Sequence, residues 1–403
     1  MLKRLSTLTV TGVLAPSCIS AALAASCIGA AQADPAADFK HGDLGAAEAG
    51  YAAALAAAPK DPGALLGLAR VRLYQDRRAD AERLAEAVPA SDAGAAAAVR
   101  VIAEAKRRDA ALDPANVVLP PRGVRVPFAA TDPLPILKVR VNDKADAYFV
   151  LDTGASEAVL DPAFADELGI ATEAAGSGVF AGGKTAQMRS ATVDSLNLNG
   201  AVVRHVPVRV LPTRNFQLDN VHRLDGIIGT GILYRFLATI DYPRGELTLR
   251  SRDASAEFER SAAARGDVIV PMWLVGDHFI FARARLNDGP ERIFNIDTGG
   301  AGAGVVPSTA SMADSHVVLD TAHTTEGQGG GGSVKVVPFT AKVSLATLQR
   351  ADVPGLYTPE GDQYGIFPFE TGGSLSHLFF RPYALTFDFV AMKLVVDTPH
   401  SAS

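Results

Sequence analysis

The sequence predicts a mainly β protein in which two copies of one β lobe follow a short helical region. Three observations lead to this prediction. Residues 38–112 are rich in Ala, Leu, Glu and Arg, which favour helices. After Val117, short alternating apolar runs separated by Gly, Asn and Asp take over, which is typical of β strands. Within this second part, two segments 145 residues apart share one local pattern.

The composition bounds the class of protein. The chain has 403 residues, 48% hydrophobic and 20% charged, which excludes wholesale disorder and a many-span membrane protein. At roughly 100–200 residues per domain, this length predicts about two to four domains. There are 38 Lys and Arg against 44 Asp and Glu, with no basic run, so we expect no nucleic-acid partner.

The first element along the chain is an export signal, predicted over residues 1–33. It has a positively charged start, an apolar middle and an A-x-A cleavage site, Ala31-Gln32-Ala33. Cleavage there would also remove the only two cysteines, Cys18 and Cys27. We therefore expect a periplasmic or secreted protein whose mature chain has no cysteine and no integral membrane span.

Two other interpretations of this segment stay open. The apolar stretch could be a membrane anchor, although Pro16 and Gly29 interrupt it and a spanning helix needs about 20 apolar residues. Ala24-Ala25-Ser26-Cys27 loosely resembles a lipobox, which would place a lipidated Cys27 at the mature N-terminus.

The second element, residues 34–115, is predicted to be helical, and prolines divide it into segments of one helix each. Three apolar positions are followed by apolar residues 34 positions later (Ala47, Tyr51 and Ala54; Ala81, Ala85 and Val88). The region therefore resembles a tetratricopeptide (TPR) array of about one and a half to two repeats. Such a region offers a groove for a protein partner or forms a helical cap on the next domain. The small number of repeats favours the cap.

The two β lobes are predicted over residues 123–250 and 265–397. In the first, the run Val139 to Asp143 is followed by Phe149 and then by Asp152-Thr153-Gly154. The second lobe repeats this arrangement 145 residues later and ends in Asp297-Thr298-Gly299. Further on, we expect Asp225-Gly226-Ile227-Ile228-Gly229 to correspond to Gly365-Ile366-Phe367-Pro368.

The repeated Asp-Thr-Gly segment is the motif that carries chemistry. Hydrolysis of an amide without a metal or a nucleophilic side chain needs a water activated between an ionised and a protonated carboxyl. Two carboxyls held close together share one proton, so one Asp from each lobe supplies this arrangement. The sequence predicts Asp152 and Asp297 as the catalytic pair, with Gly154 and Gly299 permitting the tight turns. The alternative for each Asp is an ordinary turn residue at a strand end.

The run Tyr148 to Ser156, with Val159-Leu160, a helix-like segment from Pro162 to Leu168 and the run Leu224 to Gly229, resembles the bacterial retropepsin-like and pepsin-like aspartic proteases. The resemblance implies two pseudo-twofold-related acid protease lobes, an extended polypeptide substrate in the cleft between them, and no cofactor. It also implies that the Thr153 and Thr298 hydroxyls hydrogen-bond across the interface and support the two loops.

The second lobe departs from the family pattern at two positions. Gly300 stands where the family usually has Ala, Ser or Thr, and Pro368 replaces a glycine of the segment that crosses behind the catalytic loop. These departures motivate a second hypothesis for the function, a catalytically weak or inactive peptide-binding module on the same fold.

Two glycine-rich stretches, 176–183 and 327–333, follow the two motifs at similar distances. We expect them to be hairpin tips that close over substrate, with Gly178, Phe180, Gly329 and Gly330 as contact residues. Plain flexible loops are the alternative. No Gly-Lys-Ser or Gly-Lys-Thr follows either stretch, which excludes a phosphate loop.

Other hydrolytic chemistries lack their motifs. The chain has no His-Glu-x-x-His and no Gly-x-Ser-x-Gly, so we expect neither a zinc site nor a serine hydrolase. The expected function is an exported aspartic endopeptidase. A duplicated chain supplies both aspartates by itself, so a monomer is expected.

Overall fold

The computed structural model describes residues 34–398, apart from residues 156, 181, 182, 217, 220, 277 and 278. The predicted export segment, with its anchor and lipobox alternatives, lies outside the described residues. Across the described ranges, none of the helices combines the length and apolar character needed to cross a membrane. The predicted fold class is confirmed, since the chain is mostly β with a short helical region first.

Five helices make up the N-terminal region: α1 Pro35–Lys40, α2 Leu44–Ala57, α3 Pro62–Tyr74, α4 Arg78–Glu86 and α5 Ala95–Ala111. Asp34, Asp43 and Asp61 cap the first three, because each carboxylate accepts a backbone N–H of the first turn that has no partner within the helix. Pro62 begins α3, at a position where a helix needs no N–H. The predicted separation of the helices by prolines is therefore correct at this boundary.

The helical region packs on the second lobe. The rings of Phe39 and Tyr74 make edge contacts with Phe369, at centroid distances of 6.1 and 6.3 Å. The buried guanidinium of Arg108 donates to the carbonyls of Leu73 at 2.7 Å and Leu274 at 3.3 Å. Helices and lobe therefore share one core, which favours the cap interpretation. A groove for a protein partner on these helices stays a prediction.

The first lobe holds eleven strands and two short helices among the described residues. The strands are β1 Val117–Val118, β2 Val124–Ala130, β3 Ile136–Val141, β4 Ala145–Leu151, β5 Ala158–Leu160, β6 Glu173–Val179, β7 Thr185–Leu198, β8 Ala201–Val210, β9 Leu224–Ile228, β10 Leu237–Asp241 and β11 Glu246–Arg250; the helices are α6 Pro162–Glu167 and α7 Thr230–Leu233. The predicted helix after the first motif is α6, which Asp161 caps.

The helix α8, Ser255–Arg265, connects the lobes and was not predicted. The second lobe then contains β12 Val268–Val275, β13 Phe279–Leu286, β14 Arg292–Asp297, β15 Val305–Pro307, β16 Thr325–Gly329, β17 Gly332–Leu345, β18 Leu348–Tyr357, β19 Gly373–Ser376, β20 Ala384–Asp388 and β21 Lys393–Asp397, with helices α9 Thr309–Asp314 and α10 His377–Phe380.

Both lobes place the same parallel pair of strands behind the Asp-Thr-Gly segment. In lobe 1, β9 pairs in parallel with β4, and in lobe 2, β19 pairs in parallel with β14. The expected correspondence with Gly365 to Pro368 was therefore wrong. The crossing strand of lobe 2 is Gly373–Ser376, and Pro368 lies before it, so Pro368 replaces no glycine of that strand. The crossing strands of the two lobes correspond at an offset of 147 residues. The equivalent residues Thr239 and Thr386, farther along the chain, are separated by the same 147 residues.

A six-stranded antiparallel sheet joins the lobes, in the order β2-β11-β10-β20-β21-β12. At its centre Thr239 lies opposite Thr386, and their hydroxyls are 2.7 Å apart. Each lobe contributes three strands, arranged symmetrically about this pair. The sheet thus forms a continuous base under both lobes.

Candidate active site

The two predicted aspartates lie at equivalent strand ends. Asp152 follows β4, and its backbone N–H donates to the carbonyl of Ile228 in the crossing strand at 3.0 Å. Asp297 ends β14, where it pairs with Ser376 of the crossing strand β19. Because the crossing strand fixes each strand end, the loop that carries each carboxyl starts from a rigid position.

The structure brings the two carboxyls together, since each lies against the glycine of the other Asp-Thr-Gly loop. The N–H of Gly154 donates to Oδ1 of Asp152 at 2.7 Å, and the N–H of Gly299 donates to Oδ1 of Asp297 at 2.9 Å. Both aspartates remain partly exposed, so the pair can be reached by solvent. Each carboxyl is thus oriented by its own loop while it faces its counterpart.

Burial and mutual repulsion raise the affinity of this pair for a proton. Burial raises the pKa of Asp152 well above its ordinary value, and the neighbouring Asp297 raises it further. Burial also raises the pKa of Asp297, while the Gly299 N–H and the hydrogen bond from Asp152 oppose that rise. The two groups interact strongly enough to titrate as one unit that holds a shared proton.

The close approach of the carboxyls requires glycine in both loops. A Cβ on Gly154 would lie 2.4 Å from Oδ1 of Asp297, and one on Gly299 would lie 2.1 Å from Cγ of Asp152. Real Cβ atoms do not come so close to such groups. Besides forming the turn, each glycine therefore makes room for the aspartate of the other lobe.

The two threonines of the motif exchange hydrogen bonds across the interface. The N–H of Thr153 donates to Oγ1 of Thr298, and the N–H of Thr298 donates to Oγ1 of Thr153, both at 3.0 Å. The Thr153 hydroxyl donates in turn to the carbonyl of Ile296 at 2.7 Å. Both threonines are fully buried, so these bonds hold the two loops in register away from water.

Two supporting residues were not identified from the sequence. In lobe 1 the hydroxyl of Thr230 donates to the carbonyl of Thr153 at 3.0 Å. In lobe 2 the hydroxyl of Ser376 donates to the carbonyl of Asp297 at 2.5 Å. Both follow or end a crossing strand. At the offset of 147 residues Thr230 falls opposite His377 and Ser376 falls opposite Gly229, so the repeat provided no signal for either residue.

The described residues of the two glycine-rich stretches belong to two hairpins, β6–β7 and β16–β17, which contact each other at Phe180 and Gly330. Gly178 lies in β6 and Gly329 ends β16, and the ring of Phe180 lies against Gly330, where a Cβ would be 2.4 Å from the ring. Lys184 extends this contact between the lobes with an ion pair to Glu360 at 3.3 Å.

Phe180 also connects the hairpin tips with the region around the motif. It packs on an apolar cluster with Met188, Phe216 and Leu218, and the same cluster includes Ala155 and Ala301. Ala155 directly follows the first Asp-Thr-Gly segment, and Ala301 lies two residues beyond the second. The hairpin tip of lobe 1 and the residues that flank both carboxyl-bearing loops therefore pack on the same apolar cluster.

No metal site accompanies the dyad in the described ranges, where no group of three or more His, Cys, Asp or Glu side chains is arranged to hold an ion.

The comparisons with known proteins concern the first lobe most directly. Residues 137–232 match the aspartyl protease family model, and no curated protein matches the chain. A retropepsin-like aspartic protease from Rickettsia conorii is 21% identical, with 34% of this chain and 92% of that chain covered at a TM-score of 0.25. The aspartic proteinase from Irpex lacteus is 12% identical, with coverage of 68% and 97% and a TM-score of 0.41.

The lupine seed protein conglutin gamma, a basic 7S globulin, is 9% identical, with coverage of 69% and 95% and a TM-score of 0.40. The family match therefore concerns residues 137–232, which lie within lobe 1.

Proposed function

We propose that this protein is an exported aspartic endopeptidase that hydrolyses peptide bonds with a water activated between Asp152 and Asp297. The observation that carries the proposal is the close pair of carboxyls, one from each lobe, with raised pKa values. Such a pair holds one proton between two oxygen bases, which is the state that general acid–base hydrolysis of an amide requires.

The pair holds one shared proton, and the proposed cycle starts with that proton on Asp152 and with Asp297 ionised. Asp297 accepts a proton from water as the water oxygen bonds to the peptide carbonyl carbon, while Asp152 gives its proton to the carbonyl oxygen. When the C–N bond of the resulting diol breaks, the leaving nitrogen takes the proton that Asp297 holds, and Asp152 recovers one from the diol hydroxyl.

The test is cleavage of a diverse peptide library by residues 34–403 from acidic to neutral pH. Asp152→Asn and Asp297→Asn should each lower kcat by at least about 10³-fold, since each removes a group that transfers a proton. Asp166→Asn, at an exposed position, is the matched control and should leave the rate unchanged. Cleavage that persists both in the Asp152→Asn protein and in the Asp297→Asn protein would contradict the proposal.

The same experiment tests the second hypothesis. If the parent cleaves no peptide but binds peptides saturably, the fold serves as a peptide-binding module. Sedimentation of the active protein would test the expected monomer, because both aspartates come from one chain and a second copy is not needed to complete the pair.

Export is part of the proposal and has its own test. Intact mass and N-terminal sequence of the protein recovered from the periplasm or medium should give a chain that begins at Asp34. A chain that begins at a lipid-modified Cys27 would favour the lipobox alternative, and an uncleaved, membrane-bound chain would favour the anchor.

A further inference from the structure

Behind each carboxyl-bearing loop, the loop contacts its crossing strand, and the two lobes place a glycine on opposite sides of this contact. In lobe 1 the loop carries a side chain at Ala155 and the crossing strand is followed by Gly229, where a Cβ would lie 2.1 Å from the carbonyl oxygen of Glu157 and 2.5 Å from that of Ala155. In lobe 2 the loop has Gly300 and the crossing strand ends in Ser376, whose Oγ lies 2.2 Å from a Cβ built on Gly300. The loop backbone thus excludes a side chain at Gly229, whereas in lobe 2 the space beside Gly300 is occupied by the Ser376 hydroxyl.

Ser376 uses this space to bind the loop that carries Asp297. Its hydroxyl donates to the carbonyl of Asp297 at 2.5 Å and accepts from the N–H of Gly300 at 3.0 Å. The serine is fully buried, so water does not compete for either bond. One hydroxyl thus spans both ends of the four-residue loop, from Asp297 to Gly300.

Lobe 1 has no hydroxyl at the corresponding place. There the loop is tied by Thr230, one position farther along, which binds the carbonyl of Thr153 instead. In lobe 2 the position after Ser376 is His377, whose ring Nε2 faces Asp132 of lobe 1 at 3.3 Å and does not bind the loop. In the loop of Asp297, this link to the crossing strand therefore comes from Ser376.

We propose that Ser376 is the positioning residue for Asp297, supplying from the crossing strand the support that Gly300 lacks a side chain to give. The inference rests on the proposed function, because the positioning serves the hydrolytic pair. It also means that Gly300 does not weaken the site, since the glycine is what makes room for the serine.

Ser308 provides a matched control in the same lobe. It is a buried serine whose hydroxyl also donates to a backbone carbonyl, that of Thr371 at 2.7 Å, and accepts a backbone N–H, that of Ser311 at 3.2 Å. Ser308→Ala therefore removes the same kinds of bonds away from the carboxyl pair. It measures what a buried serine contributes to stability alone.

The first arm of the experiment compares kcat and KM of Ser376→Ala and Ser308→Ala in the mature protein. Because misplacement of a reacting group by about 1 Å costs about 10²-fold in rate, Ser376→Ala should lower kcat by 10-fold to about 10²-fold with KM nearly unchanged. The pH limits of its kcat/KM profile should also shift. Ser308→Ala should lower stability but keep kcat and the pH profile, and equal kcat values for the two variants would overturn the proposal.

The second arm of the experiment moves the hydroxyl from the crossing strand, at Ser376, to the loop, at Gly300. Gly300→Ser with Ser376→Gly places it on the loop, whereas Gly300→Ala with Ser376→Gly reproduces the lobe 1 arrangement without a hydroxyl. The first double variant should be at least several-fold more active than the second. Equal activities would overturn the role of the hydroxyl.

A double-mutant cycle of Gly300→Ala and Ser376→Gly, measured by Tm, tests the inference even if the parent protein is inactive. Gly300→Ala should lower Tm strongly in the parent, where Ser376 occupies the space, and only slightly in the Ser376→Gly background. Additive Tm changes would contradict the contact itself, whereas absence of cleavage with a clear coupling would contradict only the proposed function.

Discussion

At Asp152 and Asp297, the burial that raises the proton affinity of the pair also makes the stability of the fold depend on pH. Because the folded-state pKa values lie above the ordinary value of 3.8, the folded state binds protons more tightly than the unfolded state. The contribution of the pair to stability is fully present below pH 3.8 and is lost as the pH rises through the raised pKa values.

We therefore expect Asp152→Asn to gain in Tm relative to the parent as the pH rises from about 4 to 7, because the amide cannot ionise. Thermal unfolding at several pH values measures this difference. Asp166→Asn, at an exposed position, should show no such trend. A Tm difference between Asp152→Asn and the parent that stays constant with pH would contradict the raised pKa values.

At the scale of elements, the two Asp-Thr-Gly loops depend on the threonine exchange between them. Thr153→Val removes a buried hydroxyl and leaves the N–H of Thr298 without its acceptor, so it should lower the free energy of unfolding by about 1–3 kcal/mol. Thr153→Ser keeps the hydroxyl and should cost clearly less. Urea unfolding of the two variants makes the comparison, and a loss for Thr153→Val that is no larger than the loss for Thr153→Ser would contradict the role of the hydroxyl.

The hairpin tips give a prediction about substrate binding. Phe180 lies between Gly330 and the apolar cluster near the aspartates, so Phe180→Ala should raise KM by about tenfold, since burying a large apolar side chain is worth roughly 1.5–3 kcal/mol. Tm should also fall, because the half-buried ring packs on an apolar cluster, so KM is the readout that tests substrate contact. Val179→Ala, next to it but exposed, is the control, and an equal KM for both variants would argue against contact between Phe180 and substrate.

At the scale of the whole molecule, the helical region and lobe 2 depend on one buried cation. Besides its bonds to backbone carbonyls, Arg108 lies 3.5 Å from Asp76, whose pKa burial raises and Arg108 lowers. Arg108→Met leaves that carboxylate without one of its cations and should cost about 3–5 kcal/mol. Arg100→Met, on the exposed face of the same helix, should be nearly neutral. Denaturant unfolding tests both, and similar losses would mean that the buried contacts of Arg108 add little.

The features that the sequence predicts well are those that local pattern determines. The Asp-Thr-Gly segments, the strands before them and the capped helix after Asp161 are all encoded within a few residues of chain. The crossing strand of lobe 2 was misplaced because the two lobes differ by two residues in spacing there, and the segment at Gly365 is superficially closer to the motif of lobe 1.

Contacts between distant segments could not be predicted in the same way. Ser376 binds the loop of Asp297 across 79 residues, and Arg108 binds the carbonyl of Leu274 across 166. Neither residue belongs to a periodic or repeated pattern that marks its partner. Their roles depend on which backbone atoms the folded chain brings to them, and only the three-dimensional structure contains that information.

The sheet that holds Thr239 opposite Thr386 restricts how the protein can open. The strands β10 and β20 pair over four residues in mid-sheet, so swinging the lobes apart would break backbone hydrogen bonds and expose both strand edges. The shared sheet therefore resists separation of the lobes. We expect a peptide chain to enter the cleft by separation of the hairpin tips, where Phe180 contacts Gly330 and Lys184 pairs with Glu360. Ionic strength, which screens that exposed ion pair, would then affect how readily the cleft admits a substrate while leaving the base unchanged.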